Sequence, residues 1–70
     1  MDDGFYYADW DNPGNLPVVA GFIVQDGKVH PSETAPIIGW ARGKPAPVLR
    51  RWVEDKGGQV LLVTRFERLF

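Results

Sequence analysis

Apolar and polar positions change period several times along this chain, and each change marks a different element. From Val18 to Val24 the residues are mostly β-branched or aromatic; Gln25-Asp26-Gly27-Lys28 interrupts the run, and Val29-His30 resumes it. An Asp-Gly pair between two such runs predicts a hairpin with a type I′ turn, because both central residues need positive φ. The register that follows sets Val24 opposite Val29 and Ile23 opposite His30. Pro31 has no N–H to give to a ladder, so the second strand is expected to stop there.

Beyond the hairpin the period lengthens. Thr34 is placed to cap a short helix over about 35–42, with Pro36 in its first turn and Ile37, Ile38 and Ala41 forming its apolar side. Gly43 stands where such a helix would exit through a left-handed residue, and Pro45 prevents an immediate restart. A second helix is predicted over about 46–56. Pro47 suits its first turn, Val48, Leu49, Trp52 and Val53 form one stripe, and Gly57-Gly58 ends it. Gln59 to Phe66 then reads as a closing strand. Val60 to Val63 is apolar on both faces, which predicts a central position in the sheet.

The first sixteen residues are harder to place. Asp9, Asp11, Asn12, Pro13, Gly14 and Asn15 form a dense turn cluster, while Gly4 to Trp10 suits a short strand. The organisation expected is an acidic aromatic arm or edge strand over 1–16, followed by a single domain over 17–70. The fold class is α+β: a small antiparallel sheet of three to four strands, with the hairpin near 18–30 and the closing strand near 59–66. Two short helices pack on one of its faces.

Composition narrows the chemistry. Seventy residues suffice for one small core. There is no Cys and a single His, so neither a disulfide framework nor a Cys- or His-based metal site is expected. Three Trp, four Phe and two Tyr supply the large apolar surfaces that a short chain needs. No apolar run approaches the ~20 residues of a membrane-spanning helix. The acidic start Met1-Asp2-Asp3-Gly4 does not read as a secretory signal, so a cytoplasmic location is expected.

Net charge is −1, yet the halves differ. Residues 1–35 set Asp2, Asp3, Asp9, Asp11, Asp26 and Glu33 against Lys28 alone. Residues 36–70 set Arg42, Lys44, Arg50, Arg51, Lys56, Arg65 and Arg68 against Glu54, Asp55 and Glu67. Such asymmetry can mark a charged partner or simply two halves that attract each other.

Catalytic constellations are thin. His30 and Ser32 share a strand end, but no third group and no glycine-rich elbow accompany them. Paired carboxylates occur only in the arm and at Glu54-Asp55 on a helix face, where little would desolvate them. Asp9 to Gly14 begins like a calcium loop, but Pro13 occupies a ligand position and Ala20 stands where the bidentate Glu belongs. The chain is therefore read as a non-enzyme with no cofactor and no metal.

Residues 34–52 resemble the helix-turn-helix of bacterial and phage regulators, excisionase-like and MerR-like proteins among them. Gly39 takes the place of the small residue that packs the two helices, Gly43 the turn glycine, and Leu49 and Trp52 the apolar residues facing the first helix. That resemblance implies DNA binding through Arg42, Lys44, Arg50 and Arg51. Arg50 and Glu54, and Arg51 and Asp55, are however spaced i to i+4, so the helix would neutralise its own cations.

The favoured expectation is a small regulatory or inhibitory protein that binds a larger protein, in the style of the accessory proteins with which phages and mobile elements block host machinery. Phe5, Tyr6, Tyr7 and Trp10, with Asp9 and Asp11 setting the charge, are the expected contacts, and Trp40 joins them. On this reading, removal of residues 1–11 abolishes binding and spares the fold. Self-association through an exposed strand edge is the remaining expectation.

Overall fold

The computed structural model describes residues 1–12, 14 and 16–63. Four strands, β1 (Gly4–Trp10), β2 (Val18–Gln25), β3 (Lys28–Thr34) and β4 (Gln59–Leu62), form one antiparallel sheet in the order β3-β2-β1-β4. A 3-10 helix over Pro36–Ala41 and helix α1 over Ala46–Asp55 lie between β3 and β4 in the chain. Residues 64–66 of the expected closing strand lie outside the described residues.

The hairpin turn forms as its sequence requires, with Asp26 at φ 54° and Gly27 at φ 75°. Val24 pairs with Val29 and Gln25 with Lys28, as expected, but the register then slips. Phe22 pairs with Thr34, so His30 to Glu33 bulge opposite the single residue Ile23, and Ile23 does not meet His30. The His30 ring organises this bulge, since its Nδ1 accepts from the backbone N–H groups of Ser32 and Glu33 at 3.2 and 3.3 Å. Pro31 is accommodated inside the bulge and does not end the strand. Thr34 is therefore a strand residue whose hydroxyl donates to the His30 carbonyl, and the 3-10 helix has no side-chain cap.

Tertiary context also overrides the first expected α-helix. Residues 36–41 adopt 3-10 geometry with Ile38 in a non-helical conformation (φ −113°, ψ 20°), which drives the Ile38 side chain into the core. Among the described residues only α1 is a true α-helix. Its buried positions are Ala46, Leu49 and Val53, while Val48 at the margin of the expected stripe stays exposed. The helix ends in paired reverse bonds, Gly57 N–H to Glu54 C=O and Gly58 N–H to Val53 C=O, with Gly57 left-handed at φ 79°. This is a Schellman termination.

Two strand positions differ from expectation. The N-terminal segment is neither arm nor edge; β1 is an interior strand with β2 on one side and β4 on the other. Strand β4, expected at the centre, takes the edge, and Leu61 and Leu62 remain exposed there. The opposite edge is partly covered, because the segment joining the two helices pairs with the hairpin turn. Val29 N–H donates to Lys44 C=O, Gly43 N–H to Val29 C=O, and Ala46 N–H to Gly27 C=O, all at 2.8–2.9 Å.

The core lies between one sheet face and the helical layer. Tyr6, Ala8 and Trp10 of β1 and Ala20, Phe22 and Val24 of β2 alternate inward, meeting Val29, Ile38, Ala41, Ala46, Leu49 and Val53. Tyr6 stacks on Phe22 with ring centroids 5.6 Å apart. No helix among the described residues is long and apolar enough to cross a membrane.

Candidate functional site: the outer sheet face

Because side chains alternate along a strand, burying Tyr6, Ala8 and Trp10 forces Phe5, Tyr7 and Asp9 to the other side of the sheet. Register carries this across three strands. Ile23 pairs with Phe5, Gly21 with Tyr7 and Val19 with Asp9. On the other flank Leu61 pairs with Tyr7 and Gln59 with Asp9, while Val63 N–H donates to Phe5 C=O at 2.8 Å. The result is a continuous outer surface of Val19, Ile23, Phe5, Tyr7 and Leu61. Among the described residues no helix crosses it; the 3-10 helix and α1 both contribute to the opposite side.

The exposure is substantial. Val19 keeps 69% of its surface in water, Leu61 39% and Phe5 38%. The Phe5 ring lies over Gly21, where a Cβ would stand 3.1 Å from its Cζ. Isolated exposed apolar residues are ordinary, but a contiguous group on one face is the pattern of an interaction surface.

Charge is sparse on this face and confined to its ends. Asp9 sits at one end, where its Oδ2 accepts from Gln59 Nε2 at 3.2 Å. At the far corner Lys28 shares the outer side with its pairing partner Gln25, and the Asp3 carboxylate lies at the same corner, its Oδ1 accepting from the Asp26 N–H at 2.9 Å. Neither Asp9 nor Lys28 forms an ion pair with a described residue. Asp11 is exposed just past the end of β1.

The expected protein-binding residues are thus divided. Phe5, Tyr7 and Asp9 come together on the outer face. Tyr6 and Trp10 are core, with the Tyr6 hydroxyl donating to the Asp2 carbonyl at 2.7 Å. Trp40, 41% exposed, belongs to the helical side. It meets Trp52 edge-on at 5.2 Å, Trp52 meets Trp10 at the same distance, and Lys56 Nζ caps the Trp52 ring at 4.6 Å. Val19, Ile23 and Leu61 went unnoticed in the sequence. The signal was present in their alternation with Ala20, Phe22 and Val60, but it becomes legible only once the strand order is known.

Three of the four expected nucleic-acid residues have side chains engaged within the domain. Arg42 Nη2 donates to the Thr34 carbonyl at 3.1 Å. Arg50 pairs with Glu54 at 3.3 Å and Arg51 with Asp55 at 3.6 Å. Lys44 lies in the segment paired with the hairpin turn, so the turn of the supposed helix-turn-helix is held against β3. Ser32 Oγ lies 3.1 Å from His30 Nδ1, but that nitrogen already serves the bulge backbone, so the pair is read as structural.

Comparison with protein-family models, with curated proteins and with solved structures finds no match to this chain.

Proposed function

We propose that this domain is a small non-catalytic regulator that acts by docking its outer sheet face on another protein, in the manner of an accessory protein that occupies and blocks a functional surface. One observation carries the reading: Val19, Tyr7, Ile23 and Leu61 form a continuous apolar surface on the side of the sheet away from the helices. Aromatic and aliphatic anchors of this kind dominate the central part of protein interfaces. The neutralised helix cations weigh against a phosphate-binding surface, which depends on uncompensated Lys and Arg.

Absence of cysteine supplies a clean test. Val19→Cys and Arg51→Cys, each labelled with a benzophenone maleimide, place one photoreactive group on the sheet face and one on α1. Irradiation in extract of the source cells is expected to yield a discrete protein adduct from Val19→Cys and none from Arg51→Cys. Adducts from Arg51→Cys alone would move the site to the helix. Binding of random duplex DNA that falls steeply as salt rises would restore the helix-turn-helix reading.

A further inference from the structure

We propose that the partner of the outer sheet face is a protein surface with an apolar centre and Lys or Arg on both sides of it. The inference rests on the proposed reading of that face as a protein-binding surface and adds the chemistry of what it binds. It is carried by where the fold puts the acids of the chain.

Lys28 is the only Lys or Arg in residues 1–35, against Asp2, Asp3, Asp9, Asp11, Asp26 and Glu33. This part of the chain forms β1, β2 and β3, whereas the 3-10 helix and α1 form the layer behind them. A charge asymmetry along the chain thus becomes one between two layers. The layers do not neutralise each other. Among the described residues both ion pairs, Arg50 with Glu54 and Arg51 with Asp55, lie within α1. Arg42 donates to a carbonyl, and Lys56 caps the Trp52 ring. The acids of the sheet form no ion pair with a described residue.

These acids stand at both ends of the apolar field. Asp9 and the exposed Asp11 are at one end. At the other, Asp3 and the exposed Asp26 outnumber Lys28. Six residues separate Asp3 from Asp9, about 20 Å along a strand. Phe5, Tyr7, Val19, Ile23 and Leu61 lie between. The Asp3 carboxylate is steadied by the Asp26 N–H at 2.9 Å and the Asp9 carboxylate by Gln59 Nε2 at 3.2 Å. Each keeps acceptor positions for a cation, since an ionised carboxylate offers about four. The complement is a surface with cations a similar distance apart and apolar side chains between them. Nucleic acid and anionic lipid are repelled from both ends.

The apolar field alone is small. Three strands by seven residues give roughly 350 Å², against ~800 Å² per partner in a stable interface. Contact with the acidic ends extends it, and their charge decides which apolar surfaces are accepted.

Selection from a random peptide library displayed on phage is the test, with the domain held through biotin on Arg51→Cys so that the sheet faces solution. The enriched sequences are expected to place Lys or Arg on both sides of aromatic or aliphatic residues. Synthetic copies, titrated by fluorescence anisotropy, are expected to bind more weakly as salt rises. Asp3→Asn and Asp9→Asn keep an oxygen for the Asp26 N–H and for Gln59, so only charge is removed; each is expected to weaken binding about threefold. Val19→Ser combined with Leu61→Ser is expected to cost about tenfold, and Glu54→Gln on α1 nothing. Far-ultraviolet circular dichroism checks that every variant is folded.

Peptides that need Val19 and Leu61 but carry no cations, or that ignore salt and both Asp→Asn changes, would overturn the basic partner and leave the face reading standing. Peptides indifferent to Val19 and Leu61, or no enrichment at all, would remove both.

Discussion

Deleting residues 1–11 is expected to abolish the cooperative fold and not merely the binding of a partner. The deletion removes β1, the strand between β2 and β4, together with the buried side chains Tyr6, Ala8 and Trp10. Truncation of one large core aromatic typically costs ~3–5 kcal/mol. A domain of this length has a total stability of only about 3.5–10 kcal/mol. Losing two such aromatics and both ladders exceeds that reserve, and β4 would have no partner strand left. Urea denaturation followed by circular dichroism should show a cooperative transition for the full chain and none for the truncated one. A folded truncated domain would mean that β1 is dispensable, contrary to its interior position.

The second large effect is expected at Gly58. A Cβ there would overlap the Asp9 carbonyl oxygen and stand 2.7 Å from Trp10 Cβ and 3.0 Å from Val53 Cγ1. At this point the end of α1, the start of β4 and the end of β1 converge. Two of the three obstructing atoms are backbone or attached directly to it, so they cannot swing aside. Gly58→Ala should destabilise the domain by about 3 kcal/mol or more, the upper end of overpacking costs. Gly57→Ala is the instructive neighbour. Nothing lies within 4 Å of its added Cβ, but its φ of 79° disfavours a side chain, so a loss of only about 1–2 kcal/mol is expected. A loss in urea midpoint for Gly58→Ala no larger than that for Gly57→Ala would show that the close approach at Gly58 relaxes at little cost.

What could be read from the sequence was whatever is decided locally. Asp26-Gly27 specifies its turn because both positions need positive φ, and that requirement does not depend on the rest of the chain. The limits of α1 follow from Pro47 and the two glycines after Lys56 in the same way. Strand order is a different kind of property. Four consecutive apolar residues at Val60–Val63 suit a central strand, yet β4 lies at the edge because β1 fills the place beside β2. Residues 4–10 suited a short strand in sequence, but a pleated strand and a docking arm can carry the same aromatic and acidic residues. Only the position of the helices decides which half of it is core. The bulge at His30–Glu33 was hidden for a related reason. Pro31 warns of an interruption, but only pairing between Phe22 and Thr34 reveals that the strand continues beyond it.

The same alternation divides the candidate site. Choosing whole segments, such as Phe5 to Trp10, mixes core residues with surface residues; choosing every second one separates them.

The tryptophans have an optical consequence. All three in the chain belong to one edge-to-face series, Trp10 of β1, Trp52 of α1 and Trp40 of the 3-10 helix, with centroid spacings of 5.2 Å. Transitions of rings this close couple, so the tryptophan emission and the tryptophan part of the near-ultraviolet dichroism depend on how the three rings are arranged. That signal reports whether three segments distant in sequence have docked together, and undocking any one of them changes the spectrum of the whole.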